Sequence, residues 1–333
     1  MPISHVLLLL TYRCNLRCDF CLSFNSDWRS SDSLVMPTAV APSVFLRPVP
    51  NFREMSTADI IERVIPQCED SGVEAIALSG GEVLVRRDAP EIFRALGRSK
   101  LHWCFDSNMM LCDKSVAHTV AESRCDSVFV SLDGPREIHN RLRGKPHAFD
   151  KCVAGLGHLL DSRRAAGGDR PLITINCVLQ PGNESVPFDM AQLAMDFGVD
   201  ELSFQLLSER RYTVRFDASL AFASLRSAQE LADRRQFKTT VYPVRNPDGE
   251  ALNAWFSMPL THRFYKGCTY IYENLRIDPE GNVIPCLEYK MGNVLKQKLA
   301  DIWDGPSYRA FRLHHTRLGP FDACLRCCNM MQA

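Results

Sequence analysis

Cys14, Cys18 and Cys21 stand in Thr11-Tyr-Arg-Cys-Asn-Leu-Arg-Cys-Asp-Phe-Cys21, a C-x3-C-x2-C spacing directly after the apolar run Val6–Leu10. Three thiolates from one tight loop can hold three corners of a [4Fe–4S] cube and leave the fourth iron without a protein ligand. Clusters that only carry electrons in ferredoxins use four cysteines, so a triad that stops at three points to chemistry at the iron. Zinc sites pair cysteines as C-x2-C twice or add histidines. No fourth ligand follows this loop, which makes zinc the lesser reading. A second group lies at the other end. Cys268, Gly281 and Cys286 give C-x12-G-x4-C, and Cys324 and Cys327 give C-x2-C. Four thiolates would close a cube completely; taken alone, the two pairs also suit structural zinc. Cys328 is a spare, either a competing ligand or a buried thiol. Cys68, Cys104, Cys112, Cys125, Cys152 and Cys177 are scattered singly and read as small buried apolar residues.

These residues need a scaffold. Short apolar strands are expected at Val6–Leu10, Ala75–Ser79, Leu101–Ser107, Ser127–Leu132, Leu172–Leu179 and Glu201–Leu207. Helices are expected at Thr57–Ser71 (with Ser56 as N-cap), Ala89–Arg98, Lys114–Ser123, Phe149–Arg164 and Asp189–Phe197. Six βα-type repeats imply a parallel sheet with right-handed crossovers. Periodicity alone does not choose between a full barrel, a partial barrel and an open sheet. Polar segments fall at strand C-terminal ends, where parallel α/β proteins place their sites. They are Ser79-Gly80-Gly81-Glu82, Asp106-Ser-Asn108 and Ser131-Leu-Asp133-Gly134, the last followed by His139-Asn-Arg141-Leu-Arg143-Gly144. Residues 24–55 form a long non-periodic insertion, either a lid on the cysteine loop or a surface insertion. After Leu207 a helix is expected at Asp217–Arg235, then irregular chain over Thr239–Pro259. A hairpin is expected at Asn274–Ile277 and Asn282–Ile284 around Pro279-Glu-Gly281.

Taken together, these segments resemble the radical S-adenosylmethionine (SAM) enzymes, over roughly residues 5–207 and 265–330. The resemblance implies an α/β fold, a partial (β/α)6 parallel barrel with a small C-terminal twitch-type α+β domain. The implied domains are 1–210 (barrel core with insertion 24–55), 211–264 (connecting segment) and 265–333 (a twitch domain, the shortened SPASM form). By match, Cys14, Cys18 and Cys21 hold the SAM-binding [4Fe–4S] cluster and Phe20 packs near the adenine. Gly80-Gly81-Glu82 is the family's GGE motif, with Glu82 facing the methionyl amine. Asn108 contacts the cofactor, although Met109 replaces the glycine of the usual Thr-Asn-Gly. Ser131 approaches the ribose and Arg143 the carboxylate. Cys268, Cys286, Cys324 and Cys327 hold one auxiliary [4Fe–4S] cluster.

The implied function is reductive cleavage of SAM and hydrogen-atom abstraction from a substrate. The favoured outcome is oxidation or epimerisation of a small sugar- or aminocyclitol-type metabolite in natural-product biosynthesis. Peptide or protein maturation is the alternative; the first strand begins within ten residues of the start, with no peptide-leader-binding domain before it, which counts weakly against it. A non-catalytic iron–sulfur redox sensor is the competing class, disfavoured by the cofactor residues. An electron donor such as flavodoxin or ferredoxin is implied. Cys104, Cys177 and Cys328 are candidate hydrogen-atom donors, and Glu209, Arg210 and Arg211 candidate bases.

Composition narrows the field. The 333 residues carry zero formal net charge, with 46% apolar and 23% charged residues, ordinary for a soluble globular protein. Nothing favours nucleic acid or a membrane surface as partner. The run Val6–Leu10 is too short for a membrane span or signal core. Fourteen cysteines without an export signal point to the cytoplasm, with thiols reduced or metal-bound.

Overall fold

A computed structural model describes residues 2–18, 20–21, 53–208, 215–244, 247–257, 265–286, 289–319, 324 and 331–332. Most of the 24–55 insertion, Glu209 to Arg211, Cys327 and Cys328 lie outside the described residues. The chain runs β1 (His5–Thr11), α1 (Thr57–Asp59), a π-helical segment (Ile60–Val64), α2 (Ile65–Asp70), β2 (Ala75–Gly80), α3 (Ala89–Arg98), β3 (His102–Ser107), α4 (Lys114–Glu122) and β4 (Ser127–Ser131). It continues through α5 (Arg136–Leu142), α6 (Ala148–Ala165), β5 (Leu172–Leu179), α7 (Pro187–Phe197), β6 (Glu201–Leu206), α8 (Ala218–Arg235), β7 (Lys238–Tyr242) and α9 (Gly249–Ser257). The last part holds β8 (Tyr265–Gly267), α10 (Tyr270–Glu273), β9 (Asn274–Ile277), β10 (Asn282–Ile284), β11 (Gly292–Asn293), α11 (Leu299–Trp303), α12 (Pro306–Leu318) and β12 (Met331–Gln332).

Strands β1 to β7 pair in sequence order and in parallel, and helices cross between them. The result is an α/β partial barrel in which, among the described residues, seven sequence-ordered strands run parallel, one more than the six expected. The extra strand, β7, reads Lys-Thr-Thr-Val-Tyr and is half-buried to exposed. It is an edge strand without an apolar run, so periodicity missed it. The stretch expected to be irregular also contains α9, which buries Leu252, Trp255 and Phe256. Asp248 caps it, accepting from the Ala251 N–H at 2.7 Å; the nearby prolines hid it.

Strand alternation divides the sheet into two faces. On β3, Trp103 and Phe105 are buried and stack against Phe93 of α3, at 5.2 and 5.1 Å between ring centroids. Between them Cys104 is half-buried, and Asp106 opens toward solvent. The outer face therefore packs under the helices, while the inner face lines an open barrel interior.

The C-terminal hairpin belongs to the same sheet. β9 runs parallel to β1, with Leu8 opposite Ile277, and β10 returns antiparallel to β9. Gly281, at φ +83°, takes a left-handed turn that favours glycine. The Asp278 carboxylate closes that turn by accepting from the Glu280 and Asn282 N–H groups at 3.0 and 2.8 Å. Backbone bonds fasten the hairpin to the core: Ser4 N–H to Glu273 at 2.7 Å and Met55 N–H to Pro279 at 2.7 Å. Among the described residues no helix is long and apolar enough to cross a membrane.

Candidate cofactor site at the barrel mouth

The loop after β1 turns back on itself. The Leu16 N–H donates to Cys14 Sγ at 3.3 Å, and the Cys21 N–H to the Cys18 carbonyl at 3.0 Å. Leu16 and Cys18 bury against Ala148 at the start of α6. All three cysteines line one cavity of about 290 Å³ at the C-terminal ends of the strands. Phe20, Gly80, Gly81, Glu82, Asn108, Ser131 and Arg143 line the same cavity. The residues singled out from the first part of the sequence are thus brought together at one site.

The two glycines have a steric reason. A Cβ on Gly80 would stand 2.4 Å from the Thr11 carbonyl oxygen, and one on Gly81 2.2 Å from that of Arg13. The Gly81 and Glu82 N–H groups donate to those same carbonyls at 2.8 and 2.9 Å. The turn after β2 is therefore clamped to the cysteine loop, with no room for a side chain. Glu82 is 3% exposed. It accepts from the Leu84 N–H (3.0 Å), the Ser107 hydroxyl (2.8 Å) and the Asn108 N–H (2.8 Å). Burial raises its pKa, and those hydrogen bonds oppose the rise. Three donors occupy three of about four acceptor sites on a carboxylate, leaving one for a cationic amine.

Arg143 is buried and ion-paired. Its Nε donates to Asp133 Oδ2 at 2.5 Å, its Nη1 approaches Cys18 Sγ at 3.9 Å, and its guanidinium lies 5.2 Å from the centre of the Phe20 ring. Asp133 is fully buried, and its other oxygen accepts from the Val178 N–H at 2.9 Å. Asp133-Gly134 is thus a buried anchor for Arg143 rather than a plain turn. Burial pushes the Cys14 thiol up to about 11 and also raises Cys18, where the Arg143 charge opposes the shift. A metal ligated there would deprotonate both.

Behind this pair, His139 is 1% exposed, and its Nδ1 accepts from the Asp133 N–H at 3.1 Å. Burial holds its pKa down to about 4. The unfolded chain therefore takes up this proton first as pH falls. His139 contributes stability that is complete above pH ~6.5 and lost toward pH 4. Urea midpoints of the apoprotein should drop between pH 7 and 5, and His139→Gln should flatten that drop. An equal drop in the variant would assign the acid sensitivity elsewhere.

The site fits a cluster and its cofactor. The Asn15 Nδ2, beside Cys14, is buried without a hydrogen-bond partner among the described residues, while its Oδ1 accepts from Asn108 Nδ2 at 2.8 Å. That orphaned donor is the kind of group a cluster sulfide or cofactor oxygen would satisfy. Among the described residues no three His, Cys, Asp or Glu side chains stand close enough to hold a single metal ion. Thiolates on a cube bind different irons and need not converge on one point. Met109, where the resembled motif has glycine, is buried at φ +58°, a left-handed conformation that favours glycine. The backbone shape is kept without the residue that suits it.

In the C-terminal part, Cys268 and Cys286 are half-buried against the core, and Cys324 is 7% exposed. Cys327, their expected fourth partner, lies outside the described residues. Sequence reasoning gave no role to Asn15, Asp106, Asn176 or Gln205, which bear on the cavity or its loop. The last three were findable as inward positions of their strands.

The family model of the Radical SAM superfamily matches residues 8–187, more than half of the chain, and that of SPASM, an iron–sulfur cluster-binding domain, matches residues 268–328. The chain belongs to the Radical SAM superfamily. As a radical SAM enzyme it uses SAM, a SAM-binding [4Fe–4S] cluster and an auxiliary cluster in its SPASM-type C-terminal part. It is 25% identical to the GTP 3′,8-cyclase of Ectopseudomonas mendocina, over 89% of this chain and 83% of that one. It is 27% identical to the PqqA peptide cyclase of Xanthomonas campestris pv. campestris, over 93% of this chain and 76% of that one. A further curated relative, 29% identical over 147 residues, is spanned over only 31% of its length. Among solved structures, SAM-bound SuiB of Streptococcus suis shares the fold, with a TM-score of 0.68 at 18% identity, over 93% of this chain and 68% of that one.

Proposed function

We propose that this radical SAM enzyme takes a hydrogen atom from a small, polar, hydroxyl- or amine-bearing metabolite of the sugar or aminocyclitol type and oxidises it by two electrons overall. The observation that carries this reading is the polar inner wall of the barrel mouth. Ser79, Asp106, Asn176 and Gln205 line the cavity from β2, β3, β5 and β6, and Asn176 Nδ2 bonds Gln205 Oε1 at 3.3 Å. Asp106 is open to the cavity yet ringed by protein, and burial raises its pKa, with a Ser79 hydrogen bond opposing. It is an acceptor for hydroxyl or ammonium donors.

When bound, SAM and its cluster supply the 5′-deoxyadenosyl radical. In this reading Cys14, Cys18 and Cys21 hold the cluster, and Glu82 and Arg143 orient the amine and carboxylate of SAM. Asn108, Ser131 and Phe20 position the nucleoside. Cys268, Cys286, Cys324 and Cys327 would hold a fully ligated cluster whose chemistry would be to take up the second electron from the substrate, while a flavodoxin- or ferredoxin-type donor would supply the electron that starts the reaction. Epimerisation instead needs a hydrogen-atom donor. Cys104 lies on the inner face, half-buried, whereas Cys177 is fully buried beneath the helices, so Cys104 is the better placed of the two.

Asp106 has a stability signature. Its raised pKa means that ionising it costs stability, a cost absent below pH ~4 and present as pH rises. Asp106→Asn should raise the apoprotein melting temperature at pH 7.5, converge with the wild type near pH 3.5, and weaken substrate-dependent deoxyadenosine formation. An unchanged melting temperature at pH 7.5 would remove Asp106 from this account.

A peptide substrate is the second reading, favoured by the match to a peptide cyclase along 93% of the chain. Anaerobically reconstituted protein with SAM and dithionite should form deoxyadenosine faster with amino sugars or aminocyclitols. The small-molecule product should be lighter by two hydrogens. Stimulation by a peptide alone would overturn the small-molecule reading. An isomer of unchanged mass carrying solvent deuterium would replace oxidation with epimerisation.

A further inference from the structure

Strand β1 breaks register just before the cysteine loop. Leu9 pairs with Ser79 but Thr11 with Gly80, so β1 carries one extra residue, Leu10, at its exit. Such a bulge bends and re-aims its strand. Here it brings the Thr11 carbonyl to the Gly81 N–H at 2.8 Å, one of the two bonds that clamp the cysteine loop to the Glu82 turn.

A bulged residue leaves the ladder, and its buried polar groups need other partners. The Leu10 carbonyl finds one in Arg86, four residues past Glu82. Arg86 is 6% exposed, and its Nη1 donates to the Leu10 carbonyl at 3.1 Å and to the Met55 carbonyl at 3.0 Å. The Met55 N–H in turn donates to Pro279 of the hairpin at 2.7 Å. Asp88 fixes the other side of the guanidinium. Its Oδ1 accepts from Nε at 3.0 Å, and its Oδ2 accepts from Nη2 and from the Thr57 hydroxyl, the latter at 2.5 Å. One buried guanidinium thus joins the exit of β1, the return of the insertion and the hairpin turn, yet Arg86 does not line the cavity.

We propose that Arg86 is a positioning residue for SAM binding. It pins the Leu10 bulge and so sets the reach between the cysteine loop and Glu82, without touching the cofactor itself. Two carbonyls and a carboxylate are met at once by a planar fork, a geometry that a lysine ammonium on its flexible stem does not reproduce. The inference rests on the reading that Cys14, Cys18 and Cys21 hold the SAM-binding cluster and that Glu82 orients the SAM amine.

Arg86→Lys in the anaerobically reconstituted full chain tests it, with SAM titrated against the EPR signal of the dithionite-reduced cluster at the barrel mouth. The variant should keep about eight irons per chain and an unchanged auxiliary signal. The SAM concentration at half-response should rise about tenfold, as for loss of a residue that orients a site from behind. A half-response equal to that of the wild type overturns the proposal whatever happens to the urea midpoint, since a merely structural role lowers stability alone. If Arg86→Lys does not load the barrel-mouth cluster, Asp88→Asn decides. It leaves Arg86 in place, loosens its hold, and should shift the half-response in the same direction; an unshifted response overturns the proposal. A wild type whose signals ignore SAM breaks the underlying reading and the proposal with it, whereas a full wild-type response kept by both variants breaks the proposal alone.

Discussion

Cys18→Ala is expected to abolish deoxyadenosine formation and lower the iron content from about eight to about four per chain, the count for two [4Fe–4S] clusters less one. Cys18 is the corner of the triad that the protein holds most firmly. It is 8% exposed, packs with Leu16 and Ala148, and faces the Arg143 guanidinium. Alanine removes a ligand while leaving a small apolar residue in an apolar niche, so the barrel should still fold. The loss is therefore separable from instability: circular dichroism and the auxiliary cluster signal should persist. Iron analysis, visible absorption and a deoxyadenosine assay check the three parts. Retention of SAM cleavage would show that the triad is not the reactive site.

Asp133→Asn should destabilise the apoprotein by about 3–5 kcal/mol, the cost of leaving a buried charge without its partner. Asn keeps an oxygen for the Val178 N–H but removes the negative charge that Arg143 faces at 2.5 Å. Neither side chain has water to replace it, at 10% exposure for Arg143 and 0% for Asp133. Arg143→Met combined with Asp133→Asn should recover part of the loss, because the orphaned charge goes with its partner. Urea midpoints of the wild type, both single variants and the double variant give the coupling. A loss below about 1 kcal/mol for Asp133→Asn, in the range of an exposed ion pair, would contradict the buried-anchor role. The same change should weaken SAM binding by releasing Arg143 from its place beside Cys18.

The cysteine loop, the two glycines and strands β1 to β6 were legible because each leaves a local mark: a ligand spacing, a strand-ending Gly-Gly, a short apolar run. The partners of those residues were not legible. Asp133 looks like a turn residue until β5 is laid beside β4, when its carboxylate meets Val178 and Arg143. Asn15 reads as loop filler until Asn108 arrives from β3. Glu82 could be matched to a motif, but not seen to be spoken for by three donors. β7 and α9 lacked the periodicity that marks an element, because one is an edge strand and the other a short helix between prolines.

The most direct test of the central claim, one open cluster at the barrel mouth and one closed cluster beside the hairpin, is low-temperature EPR of the dithionite-reduced protein before and after SAM is added. Two [4Fe–4S] signals are predicted, of which one changes with SAM. The responsive signal should vanish in Cys18→Ala and remain in Cys286→Ala. A spectrum indifferent to SAM, or a response that survives Cys18→Ala, would contradict the account.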